Sequence, residues 1–310
     1  SITLDLKQET ENDEHNIKFS IVIDKYPNMI PFWATLYIKI QDQETKYFIN
    51  SEKKVKRIQK SFDTPFTNDI ITNGTTITYK IKQIPSYKCP LKNDGCVCYL
   101  NCGLQLLFHL SKLRDLLMNT FFEEDKNPGW LICLKDLFDK MCTSKTALTT
   151  ISLTESFGWP SSARRIMHDA SEFIEIFLNH IRNSNKFDKN WEKKIDTIFA
   201  YYFISPESPK PIPRYIFEFS DPKEKTFMEK FDEIMGNTKF VHFPEVLFIH
   251  PVDGMSPISL QNKLDLSKYG NEPNLKHTKY TLSGIIYIIF KKNGVHHFIN
   301  FVRASTEEVW

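Results

Sequence analysis

Apolar positions alternate along residues 17–84. In IKFSIVI, Ile17, Phe19, Ile21 and Ile23 share one side of an extended chain; Leu36, Ile38 and Ile40 do so in ATLYIKI, and Ile77, Tyr79 and Ile81 in TTITYKIK. A period of two broken by polar loops predicts an antiparallel sandwich with one wet face per sheet. The stretch IPSYKCPLKNDG (84–95) carries two prolines and several turn residues, so a domain boundary is placed there, dividing the chain into 1–88 and 89–310.

Beyond residue 95 the period lengthens. Leu100, Leu104, Leu107, Phe108 and Leu110 form a helical stripe, and LICLKDLFDKM (131–141) forms another. In MHDASEFIEIFLNHI (167–181), Ala170, Phe173, Ile174, Phe177, Leu178 and Ile181 recur at the three- and four-residue spacing of an amphipathic helix. Ser161 or Ser162 is the expected cap. From about residue 199 strands return in AYYFIS, RYIFEFS, EVLFIHPV, YTLSGIIYIIF and HHFINFVR. Helices followed by a mostly antiparallel sheet make this part α+β. No internal repeat is visible.

Composition narrows the function. The chain has 310 residues, is 41% hydrophobic and 14% aromatic, and so fills a core. Its 40 basic and 38 acidic residues nearly cancel, which argues against nucleic acid as a partner. No apolar run reaches the roughly 18–20 residues that span a bilayer, so no membrane role is expected. The start, SITLDLKQETENDEHN, lacks a signal-peptide pattern, and six cysteines show no regular framework. They read as reduced thiols of a cytoplasmic or nuclear protein.

Three of those cysteines fall within GCVCYLNC (95–102). A structural zinc site wants four ligands, commonly in two close pairs. Cys96 and Cys98 are one residue apart and no CxxC pair occurs, so no metal or other cofactor is expected. Cys133 and Cys142 lie in a helical stripe and read as buried thiols, as does Cys102. Cys98 differs because a loop-like segment ends there and a helical stripe begins. A thiol at a helix N-terminus faces the positive end of the helix dipole, which favours thiolate. Such a nucleophile needs a base met in space, and nine histidines leave the choice open.

LKNDGCVCYLNCGLQLLFHL resembles the cysteine box of the ubiquitin-specific proteases, Leu-x-Asn-x-Gly-x-Thr-Cys-Tyr-Met/Leu-Asn-Ser-x-Leu-Gln. MHDASEFIEIFL (167–178) is similar to the family's Gln-Gln-Asp-Ala-x-Glu-Phe-Leu helix, and FPEVLFIHPVDG (243–254) to its Leu-Pro-x-Val-Leu-x-Ile-His-Leu strand. NKLDLSKY (262–269) looks like the Leu-Asp-Leu segment that follows, and YTLSGIIYIIFKKNGVHHFINFVR (280–303) like the histidine box. Five segments in the family's order run over residues 89–303. The strands of ATLYIKIQDQETKYFIN and FDTPFTNDIITNGTTITYKIKQI resemble the second half of a MATH (TRAF-like) domain. That module directly precedes the catalytic domain in the herpesvirus-associated member of the family.

The resemblance implies a papain-like α+β fold with a helical thumb, a β palm and short fingers, preceded by an antiparallel β-sandwich. It implies a cysteine-type deubiquitinase that hydrolyses the isopeptide bond after ubiquitin's C-terminal glycine. Its partners would be ubiquitin, ubiquitinated proteins and a peptide bound by the sandwich. Cys98 becomes the nucleophile and Asn93 the oxyanion donor. Of the two histidines in GVHHF, the register of His-Tyr-x-x-Tyr-x-Arg on HFINFVR selects His297 as base. Asp169 and Glu172, three apart on one helical face, would hold the basic ubiquitin tail. Phe298 would wall the diglycine channel.

Four features depart from the family pattern. Gly-x-Thr-Cys is GCVC here, and His296 replaces the glycine before the base. Residues 200–245 hold no cysteine for zinc-binding fingers. Thirteen residues follow His297 and ASTEEVW supplies no Asp or Asn, so the orienting residue either lies beyond them or is absent; Glu307 and Glu308 come too early. Without an orienter the productive imidazole tautomer is not selected. The alternative reading is therefore a catalytically inactive ubiquitin-binding pseudo-protease or an adaptor.

Overall fold

The computed structural model describes residues 89–120, 122, 127–185, 188–205, 210–211, 213–219, 227–252, 262–290 and 296–302, and the backbone of six strands within 2–83. These strands are β1 (Ile2–Glu11), β2 (Glu14–Asp24), β3 (Phe32–Ile40), β4 (Gln43–Ser51), β5 (Arg57–Asp63) and β6 (Ile77–Gln83). They form two three-stranded antiparallel sheets, ordered β1-β2-β5 and β4-β3-β6. The inward and outward faces predicted for this region lie outside the described residues. So do the loop 64–76 used in the TRAF-like resemblance, residues 84–88 at the proposed boundary, and 303–310 with Glu307 and Glu308.

From residue 98 helices dominate, as the stripes predict: α1 (Cys98–His109), α2 (Ser111–Asn119), α3 (Gly129–Thr143) and α4 (Ile151–Ser156). Leu110 adopts an extended backbone, φ −76° and ψ 101°, and separates α1 from α2. A 3₁₀ turn at Ser161–Arg165 precedes α5 (Ala170–Arg182), and α6 (Trp191–Phe199) follows. All six apolar positions expected on the 167–181 helix are buried. Its cap is a correction: Ser161 and Ser162 begin the 3₁₀ turn behind Pro160, and α5 starts only at Ala170, capped by Asp169. The Arg182 guanidinium pairs with both Asp196 oxygens (2.8 and 3.1 Å), and the Trp191 indole donates to the Ile181 carbonyl (2.7 Å), so α6 is locked onto α5.

The remaining elements are short. They are β7 (Tyr202–Ile204), β8 (Ile216–Phe219), α7 (Phe227–Met235), β9 (Lys239–His242), β10 (Phe248–Pro251), β11 (Lys263–Asp265), β12 (Lys279–Thr281), β13 (Gly284–Phe290) and β14 (His296–Val302). β7–β9, β11–β12 and β13–β14 pair antiparallel, whereas β8–β10 is parallel. The segment read as one strand over 280–290 breaks at Leu282 and Ser283 into β12 and β13.

Among the described residues two apolar clusters result. One gathers α1 to α6 with Phe298 and Val302 of β14. The other holds Tyr201, Phe217, Phe231, Met235, Phe240, Phe243, Leu266 and Tyr269. Among the described residues no helix is long and apolar enough to cross a membrane.

Candidate active site around Cys98

The loop before α1 is fixed at several points. Lys92 N–H donates to the Leu148 carbonyl (2.8 Å), and the Asn101 amide, one turn into α1, donates to the Lys92 carbonyl (2.8 Å). The Thr149 hydroxyl donates to Asp94 (2.8 Å). Gly95 takes φ +124°, and a Cβ there would lie 2.5 Å from the Arg164 carbonyl oxygen. Only glycine tolerates both conditions. The same carbonyl accepts from Cys96 N–H (2.6 Å). Cys98, 6% exposed, is the first residue of α1. The first helical bond runs from Asn101 N–H to the Val97 carbonyl, so the N–H groups of Cys98, Tyr99 and Leu100 have no acceptor within the helix. Among the described residues no side chain caps this end.

α1 packs on the β13–β14 hairpin. A Cβ on Gly284 would press on the Leu106 side-chain methyl of α1, which marks how closely the helix lies on the strand. Phe298, 7% exposed, and Val302, 8%, enter the cluster that contains Cys98. Strand alternation therefore turns His296, Phe298 and Val302 toward α1. His297 falls on the other face with Ile299 and Phe301, opposite Ile289 in register. Both histidines are half-buried, and the His296 Nδ1 is screened from solvent.

α5 brings its N-terminus to the same end of α1. A Cβ on Gly103 would clash with the Phe173 ring at 2.7 Å, and Tyr99 meets His168 and Phe173 edge-on at 5.4 and 6.1 Å. Asp169 stands just before α5, and Glu172 lies in its first turn. Asp169 is the N-cap, and its Oδ1 accepts from the Ser171 N–H (2.7 Å), the Ser171 hydroxyl (2.5 Å) and the Glu172 N–H (3.4 Å). Burial alone would raise the Asp169 pKa, but these hydrogen bonds and nearby His250 hold it below the ordinary carboxylate value. Glu172 is exposed in the first turn of α5. Burial, then the neighbouring Cys98 and Glu172, push the Tyr99 phenol up. Asn93 is exposed on the loop.

Sequence reasoning missed three participants. Arg164 carried no motif, and His168 gave no signal beyond its place before Asp169. His250 stood in a quoted strand without a role; its Nδ1 lies 3.2 Å from Glu218 Oε1. The other thiols are unlike Cys98: Cys96 is exposed, while burial, assisted by Cys98, pushes buried Cys102 up to about 12. Among the described residues no three His, Cys, Asp or Glu side chains are grouped to hold a metal ion. A cavity of about 670 Å³ beside Arg182, Glu192, Asp196, Tyr202 and His242 shares no residue with this site, and its central Asp196 is engaged by Arg182, Tyr202 and Tyr215.

The family profile described as ubiquitin carboxyl-terminal hydrolase matches residues 89–310. The chain is 31% identical over 125 residues to Ubiquitin carboxyl-terminal hydrolase 15 of Saccharomyces cerevisiae, covering 40% of this chain and 10% of that protein. It is 32% identical over 98 residues to Ubiquitin C-terminal hydrolase 13 of Arabidopsis thaliana, 31% of this chain and 9% of the relative. Against Ubiquitin carboxyl-terminal hydrolase 47 of Xenopus tropicalis the identity is 29% over 139 residues, 44% of this chain and 10% of the relative. The chain thus matches about a tenth of the length of these relatives.

Proposed function

Because the chain belongs to the ubiquitin carboxyl-terminal hydrolase family, we propose that it is a cysteine deubiquitinase cleaving the bond after ubiquitin's C-terminal glycine. One observation carries the reading: the helix opened by Cys98 packs on the hairpin whose return strand opens with His296 and His297.

In this reading the ring of His297, which lies on the face of β14 away from α1, turns toward Cys98 and takes its thiol proton as the sulfur attacks the glycine carbonyl carbon. The carbonyl oxygen becomes an oxyanion, met by the N–H groups at the start of α1 that have no acceptor within the helix, and by the Asn93 amide. Each such donor contributes about 3 kcal/mol to the transition state. The imidazolium returns the proton to the lysine Nζ as the C–N bond breaks, leaving a thioester. Water, deprotonated by the same imidazole, then releases ubiquitin's carboxylate and restores the thiol. Glu172 and the outer oxygen of Asp169 provide negative charge for the basic tail, and Phe298 lines the channel. The N-terminal sheets would recruit a partner by adding its peptide to an edge strand.

The test is covalent capture of ubiquitin bearing a C-terminal electrophile. Wild-type protein forms the adduct; Cys98→Ala forms none, and His297→Ala reacts at least a hundredfold more slowly. Absence of adduct with wild-type protein refutes the reading. A second reading, ubiquitin binding without cleavage, is favoured by His296 turned toward α1 in place of a glycine. It predicts measurable ubiquitin affinity without turnover, and a gain of turnover in His296→Gly.

A further inference from the structure

We propose that Arg164 is a positioning residue for the thiol-bearing loop, a role that rests on the hydrolase reading above. Its backbone and its side chain hold different partners. The backbone carbonyl receives Cys96 N–H at 2.6 Å, two residues before the nucleophile, and the absence of a Cβ on Gly95 lets it come that close. The guanidinium reaches back to α4, to the Thr154 hydroxyl at 3.2 Å and Glu155 Oε1 at 3.3 Å.

These contacts close a circuit. Thr149, at the entry to α4, holds Asp94 on the same loop at 2.8 Å. Thr154 is 1% exposed and donates to the Ile151 carbonyl at 2.9 Å, so the anchor within α4 is fixed. The loop is therefore gripped at Asp94 from one end of α4 and at Cys96 through Arg164 from the other. Asn93, the candidate oxyanion donor, lies just outside the gripped pair, and Cys98 just beyond it. Among the described residues no other backbone hydrogen bond holds Gly95 or Cys96. The Glu155 contact is exposed and contributes little alone. The Thr154 contact is sheltered, and it sets where the Arg164 side chain can lie.

A loop held this way keeps the oxyanion donors in register with the thiol. Displacement of such groups by about 1 Å costs up to a hundredfold in rate without weakening substrate binding. Arg164→Ala should therefore lower kcat for a ubiquitin-amide fluorogenic substrate by roughly ten- to a hundredfold, with KM within about twofold. Arg164→Lys, which keeps a donor within reach of Thr154, should recover part of the loss. Amide hydrogen exchange should quicken at Cys96 and its loop neighbours while the core of α5 stays protected.

An Arg164→Ala protein with unaltered kcat, or with the loss in KM alone, overturns the role. So does exchange that quickens uniformly along the chain, which would make Arg164 merely structural. The hydrolase reading fails separately. A wild-type protein inert toward the ubiquitin substrate overturns that reading and the positioning role together, whereas an active wild type beside an unaffected Arg164→Ala overturns the positioning role alone.

Discussion

The two apolar cores are built by different means. Around α1 the core is largely aliphatic, with Leu104, Leu107, Leu113, Leu131, Leu134 and Leu178 at 0% exposure on helices of nine to fifteen residues. The second core is aromatic. Phe240 stacks on Phe243 at 4.5 Å, Phe217 on Phe231 at 4.6 Å, and Phe231 meets Tyr269 edge-on at 4.8 Å. Its strands are only three or four residues long. So short a ladder buries little by itself, and large rings from α7 and several strands must close the space. β8 is the shared wall: Ile216 enters the first core and its neighbour Phe217 the second, as period-two alternation requires. Cys98 and Phe298 ride on the aliphatic side, so the candidate chemistry sits on long, rigid elements.

The strongest way to break this comparison is to empty the aromatic core. Phe240→Ala, at a position 0% exposed among four ring partners, should cost about 3–5 kcal/mol in denaturant unfolding. With β8 shared, the two cores should melt together. Fluorescence of Trp130 and Trp191, both in the first core, should follow the same transition as far-UV circular dichroism. Two separated transitions would show that the wall does not couple them.

The contrast also explains what could be read beforehand. Ala170 to Ile181 repeats over three turns, and each apolar position is buried, because a long helix facing one core imposes its period on the sequence. α6 and α7 are only nine residues each, so although Trp191, Ile195, Ile198 and Phe199 recur at helical spacing, the period runs for barely two turns beside strand-like segments and both helices were missed. The cap of α5 was misplaced because a serine before an apolar run is as good a local signal as an aspartate; Ser161 instead follows Pro160 into a separate 3₁₀ turn, and Asp169 caps the helix. At the site, Cys98 was legible from a loop meeting a helix. Arg164 was not, since a backbone carbonyl acceptor leaves no mark on residue type.

A smaller effect tests the site side of the first core. Asp169→Ala removes the α5 cap and should cost about 1 kcal/mol, while Asp169→Asn keeps most of it. The folded pKa of Asp169 is lowered, so its contribution is complete above the unfolded carboxylate value near 4 and is lost as pH falls through the depressed folded value. Thermal unfolding between pH 2 and 5 should show a shallower acid loss in both variants than in wild type. An unchanged slope would mean the carboxylate is not the cap.

A gentler slope should come from the edge of β7–β9. His242 lies beside Tyr202 at 5.7 Å, and burial, then His277, lower its pKa against the opposing pull of Asp196. The unfolded chain then binds the proton more readily, so stability is full above the ordinary histidine value near 6.5 and declines as pH falls below it. His242→Gln should flatten the melting temperature between pH 5 and 7. A wild-type profile already flat there would mean that the ring is not buried on folding.

The mildest test changes no residue and asks whether the core is closed beneath the candidate nucleophile. Cys102 sits one turn below Cys98, 5% exposed, with its thiol pushed up to about 12 by burial and by Cys98. At pH 8 only about one such thiol in ten thousand is ionised, and the thiolate is the reactive form. Iodoacetamide should therefore label exposed Cys96 at pH 8 while Cys102 stays free until denaturant is added, with the sites assigned by peptide mass. Equal labelling of the two would place water beneath the first turn of α1. A nucleophile seated on an open, wet turn would lose the rigid support that distinguishes the aliphatic core from its aromatic neighbour.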